Sequence, residues 1–463
     1  PPGPRPPPAR PPRPAPPPPV HARLPRPRRP HELHPTGGDD SAPPPERRVQ
    51  NYYHVRCEPG VPYEPDFRPP MADKAARKEP ARKISRANFI ELCLELTQED
   101  EKAFKGLWQR LGLSVDWALE YSTISTHSRR MAQWSFLDLH RKGHVYQVEA
   151  PTLWDVDFRT AVAQAEVEDR PKKGAFHNVR FGVEGGGSFV IATTRPELLP
   201  ACVAVAAHPD DERYQELFGK KAITPLFRVP VPIFASTLVE KDKGTGILMV
   251  CTFGDAMDVE WWKASGLPVK QLIGRDGRML PAAMGEAPYE SVDMRLAQRS
   301  HDEIAGQYIS KAKKRIAELL ADEGSLPGWE GAALVGEPKP TEQIVKFFEK
   351  GDRPLEFVPT RQWFIRTLEH KDALLAQGDK IQWHPPHMKT RYTHWVEGLN
   401  QDWCISRQRY FGIPFPVWYP VGDDGELDFN NPIYANKEAL PVDPLTDSPP
   451  GYAEGQRDQP GGF

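Results

Sequence analysis

Apolar positions recur at two spacings along the chain, and the switch between them marks its elements. From Ser188 to Ile191 the side chains are mostly β-branched or aromatic, and Ala192-Thr193-Thr194-Arg195-Pro196-Glu197 then turns polar. This predicts a buried strand that delivers two hydroxyls and a charged pair to its end. Gly244-Thr245-Gly246-Ile247-Leu248-Met249-Val250-Cys251 repeats the strand pattern, and Thr252-Phe253-Gly254-Asp255-Ala256-Met257-Asp258 leads it into a helix. The two strand ends are expected to face one pocket lined by Thr193, Thr194, Asp255 and Asp258.

Helical spacing dominates the earlier part. Ser85 or Asn88 caps a helix carrying Phe89, Ile90, Leu92 and Cys93. Glu99 to Leu111 sets Phe104, Leu107, Trp108 and Leu111 on one face, expected to be core, and Gly112 ends it. Met131, Trp134, Phe136, Leu137 and Leu139 give the next helix a broad apolar face; Gly143 stops it and Val145-Tyr146-Gln147-Val148 begins a strand. Helices alternating with short apolar strands predict a parallel α/β sheet. From 171 to 335 the strands become many and short, with Pro225, Pro230 and Pro232 at edges or turns and Gly185-Gly186-Gly187 as a hairpin turn. Helices are expected there from Asp210 to Phe218, ended by Gly219, and from Ile309 to Leu320. This reads as a compact barrel-like β domain.

Length and charge narrow the class. With 463 residues the chain holds two or three domains, and a net charge of −3 leaves any RNA contact to local patches. The five cysteines lack Cys-x-x-Cys spacing, which argues against a disulfide framework or zinc ribbon and fits a reducing cytoplasm. Neither an apolar run long enough for a membrane span nor a signal peptide is present. Hydroxyls beside carboxylates suit a site that holds an ammonium group and positions a water. Equally, Thr at a strand end and Asp at a helix start are ordinary caps.

Several segments resemble one family, in its order. Ala192 to Glu197, Val203-Ala204-Val205-Ala206-Ala207-His208-Pro209-Asp210-Asp211-Glu212-Arg213-Tyr214 and Gly244-Thr245-Gly246 resemble the editing insertion of the class I synthetases for valine, isoleucine and leucine. Trp154 to Glu168 is similar to the crossing into that insertion, and Thr360-Arg361-Gln362-Trp363-Phe364-Ile365 to the re-entry strand. Asp116-Trp117 with Tyr121 and Thr123 resembles the substrate-side segment. Trp403-Cys404-Ile405-Ser406-Arg407-Gln408-Arg409-Tyr410-Phe411-Gly412-Ile413-Pro414-Phe415-Pro416-Val417-Trp418, with its Arg407 and Arg409 pair, resembles the link to the second half of the nucleotide-binding sheet. Likeness over Glu46–Phe67, Ser114–Arg170 and Trp383–Trp418 is greatest to the valine members, with isoleucine the alternative.

The resemblance implies an α/β fold: a Rossmann-like, parallel-sheet catalytic domain, incomplete here, interrupted by a β-rich barrel-like editing domain. Its expected limits are 46–170 and 336–463 for the catalytic parts and 171–335 for editing. It also implies valine, ATP with magnesium, and tRNA(Val) as partners of a cytoplasmic monomer with no membrane contact. Editing would hydrolyse threonyl-tRNA(Val) with water as nucleophile, needing no metal. Asp258 would hold the α-ammonium, Thr193, Thr194 and Arg195 would line the ester and ribose, and Asp255 would meet the side-chain hydroxyl. Glu197, Thr245, Asp116, Trp117, Tyr121, Arg407 and Arg409 complete the implied binding set.

Some family features are altered. Met249, Cys251 and Gly254 stand where relatives of the common bacterial type tend to carry lysine, threonine and histidine. Neither the His-Ile-Gly-His nor the Lys-Met-Ser-Lys-Ser segment occurs, so the chain as given is expected to retain editing rather than adenylate synthesis. About twenty of the first fifty residues are proline, so 1–45 is expected to be extended. It reads either as a polyproline or RNA-touching arm, or as shifted-frame text before family-like sequence resumes at Glu46. His34 to Asp40 faintly resembles a family Gly-Trp-Asp segment, with Gly38 at the tryptophan. A tRNA-binding module without hydrolysis and an inert gene fragment are the readings from other classes.

Overall fold

The computed structural model describes residues 36–38, 43–73, 79–113, 115–349 and 351–463. Most of the expected extended leader, the ends of the His34–Asp40 segment, and Ser114 lie outside them. The chain divides into two compact units, one of the residues up to His144 with Arg409–Phe463, the other of Val145–Gln408.

In the first unit β1 (Gly37–Gly38), α1 (Pro43–Tyr53), β2 (Val55–Cys57), β3 (Arg82–Ile84), α2 (Arg86–Arg110), β4 (Tyr121–Ser122) and α3 (Thr126–Arg141) follow in order. β1 pairs with β4, and β2 with β3, both in parallel. Ser85 caps α2, its hydroxyl accepting the Asn88 N–H at 3.1 Å. The two helices expected between Ser85 and Leu111 are one, because no helix breaker separates them. Only its first half is core: Phe89, Leu92, Cys93 and Leu96 pack with Val49, Val55, Ile84 and Phe411. Phe104, Leu107 and Leu111 are exposed, contrary to expectation, as are Met131 and Trp134 of α3. The inward positions of α3 are Phe136 and, unexpectedly, Gln133. The Gln133 amide donates to the carbonyls of Pro414 (2.9 Å) and Val442 (2.6 Å), so burial of a polar side chain is offset by full bonding.

In the second unit β5 (Val145–Asp155) and β6 (Thr160–Ala161) lead into β7 (Val167–Val183), β8 (Ser188–Thr193), β9 (Cys202–Ala207), β10 (Lys221–Ile223), β11 (Pro230–Ala235) and β12 (Ile247–Cys251). Helices α4 (Ala256–Ser265), α5 (Met294–Asp302) and α6 (Ile309–Leu320) precede β13 (Lys339–Phe348) and β14 (Glu356–Ile365). After α7 (Lys371–Lys380) and α8 (Met388–Glu397) comes β15 (Trp403–Cys404). A four-stranded antiparallel sheet runs β15-β14-β5-β6. A curled seven-stranded sheet runs β12-β9-β11-β10-β7-β13, with β8 on β7. The fold is therefore α/β, with a β-rich, barrel-like body inserted between the parts of a Rossmann-like framework. Among the described residues the framework's parallel pairing is limited to the two short pairs, since the long strands are hairpin or ribbon neighbours.

β7 serves three partners, meeting β10 only at Gly182 and Val183. Its first part pairs with β13 from Val167↔Phe348 to Phe176↔Lys339, and its second with β8 from His177↔Thr193 to Gly182↔Ser188. Gly185, Gly186 and Gly187 turn that hairpin with φ of 87°, 112° and 85°, a region that favours glycine. Pro230 and Pro232 oppose β10, while only Ile233, Phe234 and Ala235 reach β9, so neither proline is asked for a second ladder bond. The core of this body gathers Phe181, Ile191, Leu199, Phe227 and Ile233 with Ala297, Ile304, Ala312, Ile316 and Leu320 from the helical side. The helix expected from Asp210 to Phe218 is only a short turn at Gln215–Leu217. Asp211 instead bonds the backbone N–H (3.2 Å) and guanidinium of Arg213, a local geometry that competes with helix. Among the described residues no helix is long and apolar enough to cross a membrane.

Candidate active site

The end of β8 lies beside the residues that lead into β12. Thr245 ties them: its Oγ1 accepts the Ala192 N–H at 3.3 Å and donates to the Ile247 carbonyl at 3.0 Å. Arg195 then crosses to the turn before α4, Nη1 donating to the Gly254 carbonyl at 2.8 Å. Its Nε reaches Glu197 Oε1 at 3.1 Å and its Nη2 reaches Glu356 Oε2 at 2.7 Å. Burial opposes the Arg195 charge, but Glu356 and Glu197 together raise its pKa, so it stays a cation. Thr193 is buried and its Oγ1 accepts the Arg195 N–H at 3.0 Å. Thr194 is half-buried.

Asp255 and Asp258 share the start of α4. Asp255 is the N-cap, its Oδ1 accepting the N–H groups of Met257 (2.9 Å) and Asp258 (3.1 Å). Asp258 closes the capping box and is buried; its oxygens accept the N–H groups of Cys251 (3.0 Å), Gly254 (2.8 Å) and Asp255 (3.3 Å). Burial first, and then the Asp255 charge, push its pKa up to about 7 against the pull of those three N–H donors. The capping reading of both carboxylates thus holds, their bonds going to backbone N–H groups at 251–258. Gly254 has a reason of its own. A Cβ there would stand 2.7 Å from Asp258 Oδ2 and 3.1 Å from Leu198 Cδ1, so no histidine fits while Asp258 keeps this cradle.

The remaining candidates lie elsewhere. In the first unit Asp116 caps the turn Trp117–Leu119, accepting the Ala118 N–H at 3.1 Å, and the Trp117 ring sits 5.8 Å from Lys105 Nζ. Tyr121 is exposed and lies across Gly37, where any Cβ would overlap its ring. The Arg407-Gln408-Arg409 motif spans the point where the chain passes between units. In the second unit Arg407 donates to the carbonyls of Cys404 (3.0 Å) and Ser406 (2.7 Å) and to Glu166 (2.5 Å). In the first, Arg409 lies near Glu46, which accepts the N–H groups of Tyr410 and Phe411 at 2.6 Å each. Arg407 therefore anchors its own turn, which the motif did not reveal.

Three residues beside the site escaped sequence reasoning. Glu356 had a readable signal, a lone charge opening an apolar strand. His177 had none: only the register sets it opposite Thr193, where burial lowers its pKa. Lys270, also buried, donates to the Cys202 carbonyl at 3.3 Å behind Cys251.

The family model described as tRNA synthetases class I (I, L, M and V) matches residues 60–440. The chain is 53% identical over 435 residues to the valine-tRNA ligase of Thermobifida fusca, covering 93% of this chain and 48% of the relative. It is 51% identical over 435 residues to that of Salinispora arenicola, with the same coverage of 93% and 48%. The chain thus spans about half the length of the curated relatives it matches. A solved ternary complex of the Agrobacterium radiobacter K84 LeuRS with tRNA and LeuAMS is matched over 88% of this chain and 44% of that one, at 19% identity and a TM-score of 0.28. With its family model covering most of its length and the two relatives above both valine-tRNA ligases, the chain belongs to the class I tRNA synthetases of the I, L, M and V group.

Proposed function

We propose that the site between β8 and α4 hydrolyses the ester of threonine wrongly attached to tRNA(Val). The observation that carries this reading is the Arg195–Gly254 bond, which joins the segment of Thr193 and Thr194 to the turn that bears Asp255 and Asp258. A pocket that accepts valine cannot strongly reject the near-isosteric threonine, the valine enzymes being the standing example of this limit, so a second, hydrolytic site is chemically called for. Asp255 and Asp258 offer negative charge to the α-ammonium. Thr193 and Thr194 offer hydroxyls to the ester and ribose. Water attacks the ester carbonyl, the bond to the ribose oxygen breaks, and a proton passes from the water to that oxygen, leaving threonine and tRNA with a free terminal hydroxyl.

The whole protein would be a cytoplasmic, monomeric valine-tRNA ligase, taking valine in preference to isoleucine. ATP, with magnesium, belongs to that ligation, and no step of the hydrolysis is routed through it. Threonyl-tRNA(Val) and valyl-tRNA(Val) are the substrates for the test. Loss of threonine alone, abolished in Asp258→Ala, supports the reading; no loss above the uncatalysed rate from folded protein overturns it. The engagement of Asp258 by three backbone N–H groups favours a second reading, a tRNA-binding module that holds charged tRNA without clearing it. Binding without hydrolysis in the same assay selects it.

A further inference from the structure

Arg195 is not held by the curled sheet alone. Two of its acceptors, Glu197 and Gly254, belong to that sheet and its helix, but the third, Glu356, is the first residue of β14 in the four-stranded sheet. Glu356 is buried, and its rung partner across the ladder is Trp154 of β5. The curled body docks on this same rung through the hairpin at 273–279. The Trp154 indole N–H donates to the Arg275 carbonyl at 2.9 Å, and the Arg275 guanidinium lies 5.7 Å from the indole ring. Gly277 presses so closely on Val156 that a Cβ would stand 3.1 Å from it. Just beyond, the Tyr308 ring takes the Arg278 guanidinium at 4.1 Å and that of Arg353 at 5.4 Å, and Arg353 Nε donates to Asp157 at 2.7 Å.

We infer that Glu356 is a positioning residue for Arg195, so that the candidate site is complete only while the curled body is docked on the Trp154–Glu356 rung. The inference rests on the hydrolytic reading above for its effect on activity, though not for its geometry. Three nitrogens of the guanidinium meet three acceptors on three different segments, which fixes both its place and the plane it presents. Without Glu356 two acceptors remain, both on the curled side, and the guanidinium is free to turn about them. A site that depends on a neighbouring sheet in this way senses whether that sheet is in place.

The test uses the full chain with Glu356→Gln, Arg195→Lys and the double variant, on threonyl-tRNA(Val). Each single change is expected to lower kcat/KM by about tenfold, mainly through KM, and the double variant to lose no more than the worse single, as coupled groups do. Amide exchange gives a second readout. In Glu356→Gln the Gly254 and Asp255 amides are expected to exchange faster, while the hairpin at Gly182–Ser188 is unchanged. Additive losses, or a Glu356→Gln protein equal to the parent in exchange, overturn the inference. If the parent itself does not hydrolyse the ester, the hydrolytic reading fails, and exchange alone decides: faster exchange supports the positioning role, and unchanged exchange overturns it.

Discussion

Asp258 is the residue whose chemistry is most sharply set by its surroundings. Its pKa of about 7 in the folded chain lies well above the unfolded carboxylate value near 3.9. Between those two values the folded state keeps a proton that the unfolded state releases. The stability this contributes is fully present below about pH 4 and is lost as pH rises through about 7, at roughly 1.4 kcal/mol per pH unit at most. Urea unfolding should therefore show Asp258→Asn gaining on the parent between pH 5 and pH 8. Activity should run the other way. Threonine release is expected to rise with pH through about 7 as the carboxylate ionises, and that step should vanish in Asp258→Asn, read against the uncatalysed rate. Gly254→Ala tests the cradle: its Cβ meets Asp258 Oδ2 at 2.7 Å, and crowding of this kind costs about 1–3 kcal/mol in urea unfolding.

At the scale of elements, caps and periodicity carry much of the information. Ser85→Ala removes the hydroxyl that holds the Asn88 N–H and should lower stability by about 1 kcal/mol, measured by urea unfolding. The strand at Ser188–Thr193, the strand-to-helix turn into α4 and the helix Ile309–Leu320 were all legible, because in each a periodic apolar run meets a chemical stop. The exposure of Phe104, Leu107 and Leu111 was not, since spacing finds an apolar face without saying what covers it. β7 hid for another reason: its first half is charged on both faces and so shows no alternation at all. Of the candidate site, the local pairs were readable, whereas Arg195–Glu356 joins segments far apart in sequence and only the fold could bring them together.

For the whole molecule, two units with their own cores mean that a single unfolding midpoint is not a well-defined quantity. Phe181→Ala, in the core of the curled body, and Phe89→Ala, in the first unit, each remove a fully buried ring. Each should cost about 3–5 kcal/mol, and hydrogen exchange should show the loss of protection confined to the amides of its own unit. The ladder between β7 and β13 has one more consequence. Because Phe176 stands opposite Lys339, the chain leaves and returns at a single rung, its two ends about 5 Å apart. The covalent path from His177 to Pro338 opens and closes at that rung like a clasp, while Arg275 and Arg195 touch the sheet beyond it at Trp154 and Glu356. Such a segment can be trimmed, enlarged or grafted onto another enzyme without rethreading the host, and a short turn joining Phe176 to Lys339 would leave the ribbon beneath it with every bond it has now.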